Sequence, residues 1–168
     1  MINKIALENL ATDLRETLEI SSEVILNPNQ FNELCQKIEK HEDFKIAECQ
    51  NESFMVLEND KYFTIYLCGN QEKKFYDLVK MLSYALLIDK EKLTAKELKH
   101  KVFYFNLGFS NKAVEYFMRA FMMPEKAFLK TLILYEVAGD GSSVNMIKMQ
   151  NEVNKFCYPR GRDLSLWS

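Results

Sequence analysis

The sequence predicts a helix-dominated α+β fold, and three observations carry that expectation. Apolar residues recur every three or four positions over several long stretches. Three short segments rich in Phe, Ile, Val and Tyr sit close together between residues 44 and 67. The chain is 168 residues long and 48% hydrophobic, with only 5 Gly and 3 Pro, which suits one packed core spanning 1–168. Within it the expected parts are an N-terminal helix (1–26), a core (28–155) and a tail (156–168).

Leu7, Leu10, Leu14 and Leu18 share helical spacing, with Glu8, Asp13, Arg15, Glu16 and Glu19 on the opposite side. Asn27-Pro28-Asn29 reads as a turn into a second helix striped by Phe31, Leu34, Cys35 and Ile38. The β-like segments Phe44–Ala47, Phe54–Leu57 and Tyr62–Leu67 are separated by polar turns, so an antiparallel three-stranded meander is expected. From Lys73 the period returns to that of a helix through Phe75, Leu78, Val79, Leu82, Ala85 and Leu86. Thr94 and Glu97 have capping-box spacing, and the apolar run 102–105 stops at Gly108. Ser110 is the expected cap of a helix that buries Val114, Phe117, Met118, Phe121 and Met122. Pro124 starts another, with Phe128, Leu129, Leu132, Ile133 and Tyr135 inward. Ser142 or Ser143 caps a last helix with Val144, Ile147 and Val153 inward.

A net charge of −2 argues against general nucleic-acid or anionic-membrane binding. The N-terminal residues lack the apolar run of a signal peptide, and no stretch reaches the ~18 apolar residues of a membrane span. Cys35, Cys49, Cys68 and Cys157 are irregularly spaced with no C-x-x-C pair, so a cytoplasmic protein with reduced, mostly buried thiols is expected.

The order of elements resembles that of the ImmA/IrrE-type metallopeptidases, a zincin-like family common in phages and mobile elements. There a strand leads into a helix reading roughly R-F-T-L-A-H-E-L-G-H-L-L-L. Here Phe63–Leu67 leads into Phe75–Leu87, with Ser83 where the family has Gly. The family's E-A-N-x-F-A-x-x-L-L-M-P resembles Ala113–Pro124, sharing Phe117, Met123 and Pro124. The resemblance covers residues 28–155 and implies helices packed on a small, mainly antiparallel sheet.

It also implies a missing active site. Lys80 and Tyr84 stand at the two His positions, Met81 at the Glu, and Ala113 at the third ligand. Protonated Lys offers no lone pair, and a thioether cannot take a proton from water. The two histidines, His41 and His100, form no H-x-x-x-H arrangement and read as surface residues. No cofactor or metal is expected. Lys80 reads as a side chain snorkelling to solvent and Tyr84 as filler of the zinc void. Met118, Met122 and Met123 read as core before they read as a binding surface.

Arg160 and Arg162 read as a solvated or subunit-contacting tail, with phosphate contact the weaker reading. Trp167 must dock on the core or insert into a partner. The function implied by the resemblance is that of an inactive pseudo-metallopeptidase. It would bind and sequester or inhibit a protein such as a helix-turn-helix repressor or a host defence factor. Lys80, Tyr84, Phe103, Tyr104, Arg160, Arg162 and Trp167 are the candidate contact residues. Two rivals stay open: a relocated non-metal active site in a polar cavity around Asp77, Lys80 and Tyr84, and a subunit self-assembling through Phe103, Tyr104, Phe105 and Trp167.

Overall fold

A computed structural model describes residues 2–59, 61–87, 102–104, 111–139, 141 and 144–168. The chain divides into two compact units, residues Pro28–Val114 and the combination of Met1–Asn27 with Glu115–Ser168. Among the described residues the fold is α+β with helices dominating, and no helix is long and apolar enough to cross a membrane.

In the Pro28–Val114 unit a 3-10 turn, Pro28–Gln30, leads into the helix Phe31–Glu39, which buries Leu34 and Ile38. Strands β1 (Phe44–Glu48), β2 (Phe54–Glu58) and β3 (Tyr62–Leu67) follow, with the short β4 (Val102–Tyr104). The sheet order is β1-β3-β2-β4. β2 runs antiparallel to β3 and to β4, but β1 is parallel to β3, pairing Phe44 with Phe63 through Glu48 with Leu67. The sheet is therefore mixed, and the expected meander is corrected. The link after β1 crosses β3 instead of turning tightly, and Ser53 pins it by accepting from the Cys68 amide at 3.1 Å. The β2–β3 turn is tight as expected, with Asn59 at φ 52°, a conformation Asn tolerates better than most residues. Met55, Leu57, Ile65 and Leu67 face a core shared with the long helix Gln71–Leu87, which buries Phe75, Leu78, Val79, Met81 and Leu82.

That helix begins two residues earlier than its apolar period suggests. Asn70 Oδ1 accepts from the Lys73 amide at 2.9 Å and so supplies the N-cap. The candidates Thr94, Glu97, His100, Phe105, Gly108 and Ser110 lie outside the described residues, as do Ser142 and Ser143. The side chains of Phe103 and Tyr104 do too, although their backbone forms β4.

Among the described residues the helices are α1 (Lys4–Thr17), α2 (Phe31–Glu39), α3 (Gln71–Leu87), α4 (Lys112–Met122), α5 (Glu125–Tyr135), α6 (Val144–Glu152) and α7 (Cys157–Asp163). Asn111 Oδ1 accepts from the Ala113 and Val114 amides and makes the cap of α4.

The other unit is helical, and its inward faces differ from the simple apolar stripes. α1 buries Leu7, Ala11 and Arg15, whereas Leu10 is exposed. Arg15, expected on the polar side, is buried because its guanidinium satisfies carbonyls that have no other donor in the helix. It donates to Phe121 O at 2.6 Å and Met122 O at 2.8 Å, and to Ser21 O and Val24 O in the loop after α1. Phe121 and Met122 lie in the last turn of α4, where four carbonyls lack intrahelical partners and a cation is favoured. Burial brings the Arg15 pKa down to about 10, which leaves it charged at neutral pH.

α5 buries Ala127 and Phe128 but turns Ile133 and Leu134 outward. α6 buries Met146 and Met149, not the expected Val144 and Ile147. Met118, Met122 and Met123 are core, as their spacing suggested. Trp167 docks on its own unit. It stacks on Tyr158 at 5.8 Å between centroids, lies 6.1 Å from Phe128, and donates Nε1–H to Tyr158 O at 2.9 Å.

Candidate functional site

The four positions that the resemblance sets against a zinc site lie in the Pro28–Val114 unit. Lys80, Met81 and Tyr84 are on α3 and Ala113 opens α4. Met81 is fully buried, while Lys80 and Tyr84, one turn apart on the same helix, are half-buried and engaged in further interactions. Among the described residues no group of three or more His, Cys, Asp or Glu side chains is placed to hold a metal ion. His41 is half-buried just beyond α2, and its amide donates to Ile38 O at 3.0 Å.

One helical turn before Lys80, Asp77 belongs to a separate polar cluster. Ser53 Oγ donates to Asp77 Oδ2 at 2.8 Å, and Lys73 Nζ donates to the same oxygen at 2.5 Å. The Lys73 ammonium also reaches Ser53 Oγ at 3.5 Å and Cys68 Sγ at 3.6 Å. Its hydrogen bond to Asp77 holds the Lys73 pKa above the ordinary lysine value. A cation so stabilised does not remove a proton from Ser53, so a Ser–Lys nucleophile is not what this geometry builds. The cluster joins the end of β3, the link before β2 and the first turns of α3. Nothing in the linear spacing of Ser53, Cys68, Lys73 and Asp77 marks them as a set.

In the other unit Arg160 is fully buried and is not a solvated tail residue. Its Nε donates to Met123 O at 2.8 Å, and its two terminal nitrogens form a fork on Glu8 at 2.7 and 2.9 Å. Tyr116 Oη donates to Glu8 Oε1 at 2.8 Å, and Arg119 grips Asp163 at 2.6 and 2.9 Å. Burial opposes the charge on Glu8, but the hydrogen bond and charge of Arg160, with the Tyr116 hydroxyl, hold its pKa below the ordinary value. Burial first, and then donation to Glu8, pushes the Tyr116 hydroxyl up to about 12. This network is structural, because its charges are saturated by one another. Arg162, by contrast, is exposed. Glu8 also borders a cleft of about 530 Å³ with Thr12, Pro124 and Leu129.

The same unit exposes large apolar side chains, three of which, Ile133, Val144 and Ile147, the helical periodicity places in the core. Ile133 and Leu134 in α5 are 76% and 75% exposed, and Val144 and Ile147 in α6 are 80% and 59% exposed. The two helices pack together, and Tyr135 Oη donates to Glu152 Oε2 at 2.7 Å between them. Helical spacing puts Val144 and Ile147 on one face and Met146 and Met149 on another, but does not say which of the two meets the core. No family model, curated protein or solved structure matches the chain.

Proposed function

We propose that this chain is a non-catalytic, zincin-like protein of the ImmA/IrrE type that acts by binding a protein partner. The observation that carries the reading is the exposed set Ile133, Leu134, Val144 and Ile147 on two packed helices. Isolated exposed apolar residues are ordinary, whereas several on adjoining helices are characteristic of interaction surfaces. The chemistry of Lys80, Met81 and Tyr84 on α3 supports the non-catalytic half, since none can act as the zinc ligand or general base at its position. A helix-turn-helix repressor or a host defence factor is the partner class that the resemblance favours, with sequestration in a phage or mobile-element setting as the mode of action.

Two measurements test this. The protein purified without chelators is expected to carry far less than one zinc per chain by native mass spectrometry, and stoichiometric zinc overturns the pseudoenzyme reading. Capture from native host lysate with the wild-type protein is expected to yield a specific partner. Ile133→Asp and Leu134→Asp should lose that partner at least tenfold, through desolvation of a charge in the interface, while their urea midpoints stay near wild type. Equal capture by both variants sinks the assigned surface.

A further inference from the structure

Cys49 and Cys68 lie side by side at the carboxyl ends of β1 and β3. The parallel register pairs Ala47 with Tyr66 and Glu48 with Leu67, so the next step pairs the two cysteines. The Cys49 amide donates to Leu67 O at 2.9 Å, which carries the ladder to that point. Neighbouring strands lie about 4.8 Å apart, inside the Cα separation of about 4.4–6.8 Å that a disulfide needs. In-register neighbours on parallel strands also project to the same face. Burial, and then the Cys68 thiol beside it, pushes the Cys49 thiol up. Both thiols are free.

Access and a neighbouring cation favour thiol–disulfide exchange here, while the raised Cys49 pKa leaves its thiolate a minor species at neutral pH. Cys49 is half-exposed and Cys68 buried, so an external disulfide meets Cys49 first. Lys73 Nζ stands 3.6 Å from Cys68 Sγ, where a sulfur about to attack carries negative charge. Gly69 makes that approach available: at φ +95°, a Cβ there would lie 2.7 Å from Lys73 Cδ. The Lys73 stem folds over this bare turn to bring its ammonium back to the end of β3.

We propose that Cys49 and Cys68 form a redox-active dithiol, oxidised to an intramolecular disulfide by low-molecular-weight disulfides such as glutathione disulfide. The Cys49 thiolate attacks one glutathione sulfur, forming a mixed disulfide and releasing one glutathione. The Cys68 thiolate then attacks the Cys49 sulfur and releases the second. Two electrons pass from the protein pair to the glutathione disulfide, and the two thiol protons end on the released glutathiones. The closed bond ties β1 to β3 at the entrance to α3. The inference is independent of the protein-binding reading.

The test is equilibration of the full chain with glutathione disulfide, followed by thiol titration and peptide mapping by mass spectrometry. The expected result is loss of the Cys49 and Cys68 thiols together, a peptide linking them, and full return of both on reduction. Cys35 and Cys157 should stay unlinked to either. Cys49→Ser should form no internal bond. Lys73→Met should close about tenfold more slowly, because no ammonium then stands 3.6 Å from the sulfur that attacks. A stable glutathione adduct on Cys49 with no internal bond, or two thiols that survive equilibration, overturns the proposal. Closure of Lys73→Met at the wild-type rate removes the ammonium from it.

Discussion

Arg160→Met is expected to lower the unfolding free energy by about 3 kcal/mol in urea melts, the lower end of what removing one partner from a buried ion pair costs. The lower end applies because the Glu8 side chain keeps 30% of its surface, so water relieves part of the uncompensated charge. The Met123 carbonyl loses its Nε donor, and the Glu8 carboxylate loses both bonds of the fork. Glu8→Gln should cost less, because an amide oxygen still accepts from the guanidinium. The pH dependence separates the two effects. The folded-state pKa of Glu8 lies below its ordinary 4.5, so folding favours the ionised form. Its contribution is present above the unfolded pKa and is lost as pH falls through the folded one. Wild-type stability should therefore drop on acidification below about 4.5, while Glu8→Gln should lose this part of the slope. An Arg160→Met protein as stable as wild type would make the fork incidental.

How much was readable in the linear sequence depended on whether an element is shaped by local or distant partners. The second helix and the three strands could be located because their own spacing reports them. Strand pairing could not, because β1 joins β3 across an intervening strand, and the polar contacts of Ser53 that hold this crossing come from residues 15 and 24 positions away. The adjacency of Cys49 and Cys68 follows from that same pairing, so their irregular spacing concealed it. Arg15 and Arg160 were assigned to solvent because charged side chains usually are. Their burial depends on carbonyls at the end of α4 and just beyond it that have no intrahelical donor, a demand that only the folded chain reveals. In α6 the apolar residues were recognisable, but Met146 and Met149 face inward while Val144 and Ile147 face out. The candidate interaction surface was therefore hidden inside a correct helix with the wrong phase.

Gly161→Ala should destabilise the protein by about 3 kcal/mol, at the severe end of overpacking. On propensity alone the sign would be opposite, since Ala is better than Gly by about 1 kcal/mol in a helix, and Gly161 lies within α7. The contact decides: a Cβ at Gly161 would sit 1.7 Å from Trp167 Cζ2 and 2.1 Å from Cε2. A rigid indole has no flexible end to withdraw, so the ring must leave its place. It then loses Tyr158 and Phe128, together with the Nε1 hydrogen bond to Tyr158 O. Because Trp167 is the chain's one tryptophan, its fluorescence should shift to the red in the native state of Gly161→Ala. Trp167→Ala should itself cost about 3–5 kcal/mol, as large aromatic truncations do. In that background the obstruction is gone, and adding Gly161→Ala should turn neutral or stabilising by up to about 1 kcal/mol. This reversal of sign distinguishes a clash with the indole from any intrinsic need for glycine in the helix. If Gly161→Ala destabilises equally with and without Trp167, the backbone itself requires glycine there and the docking of Trp167 is not the reason.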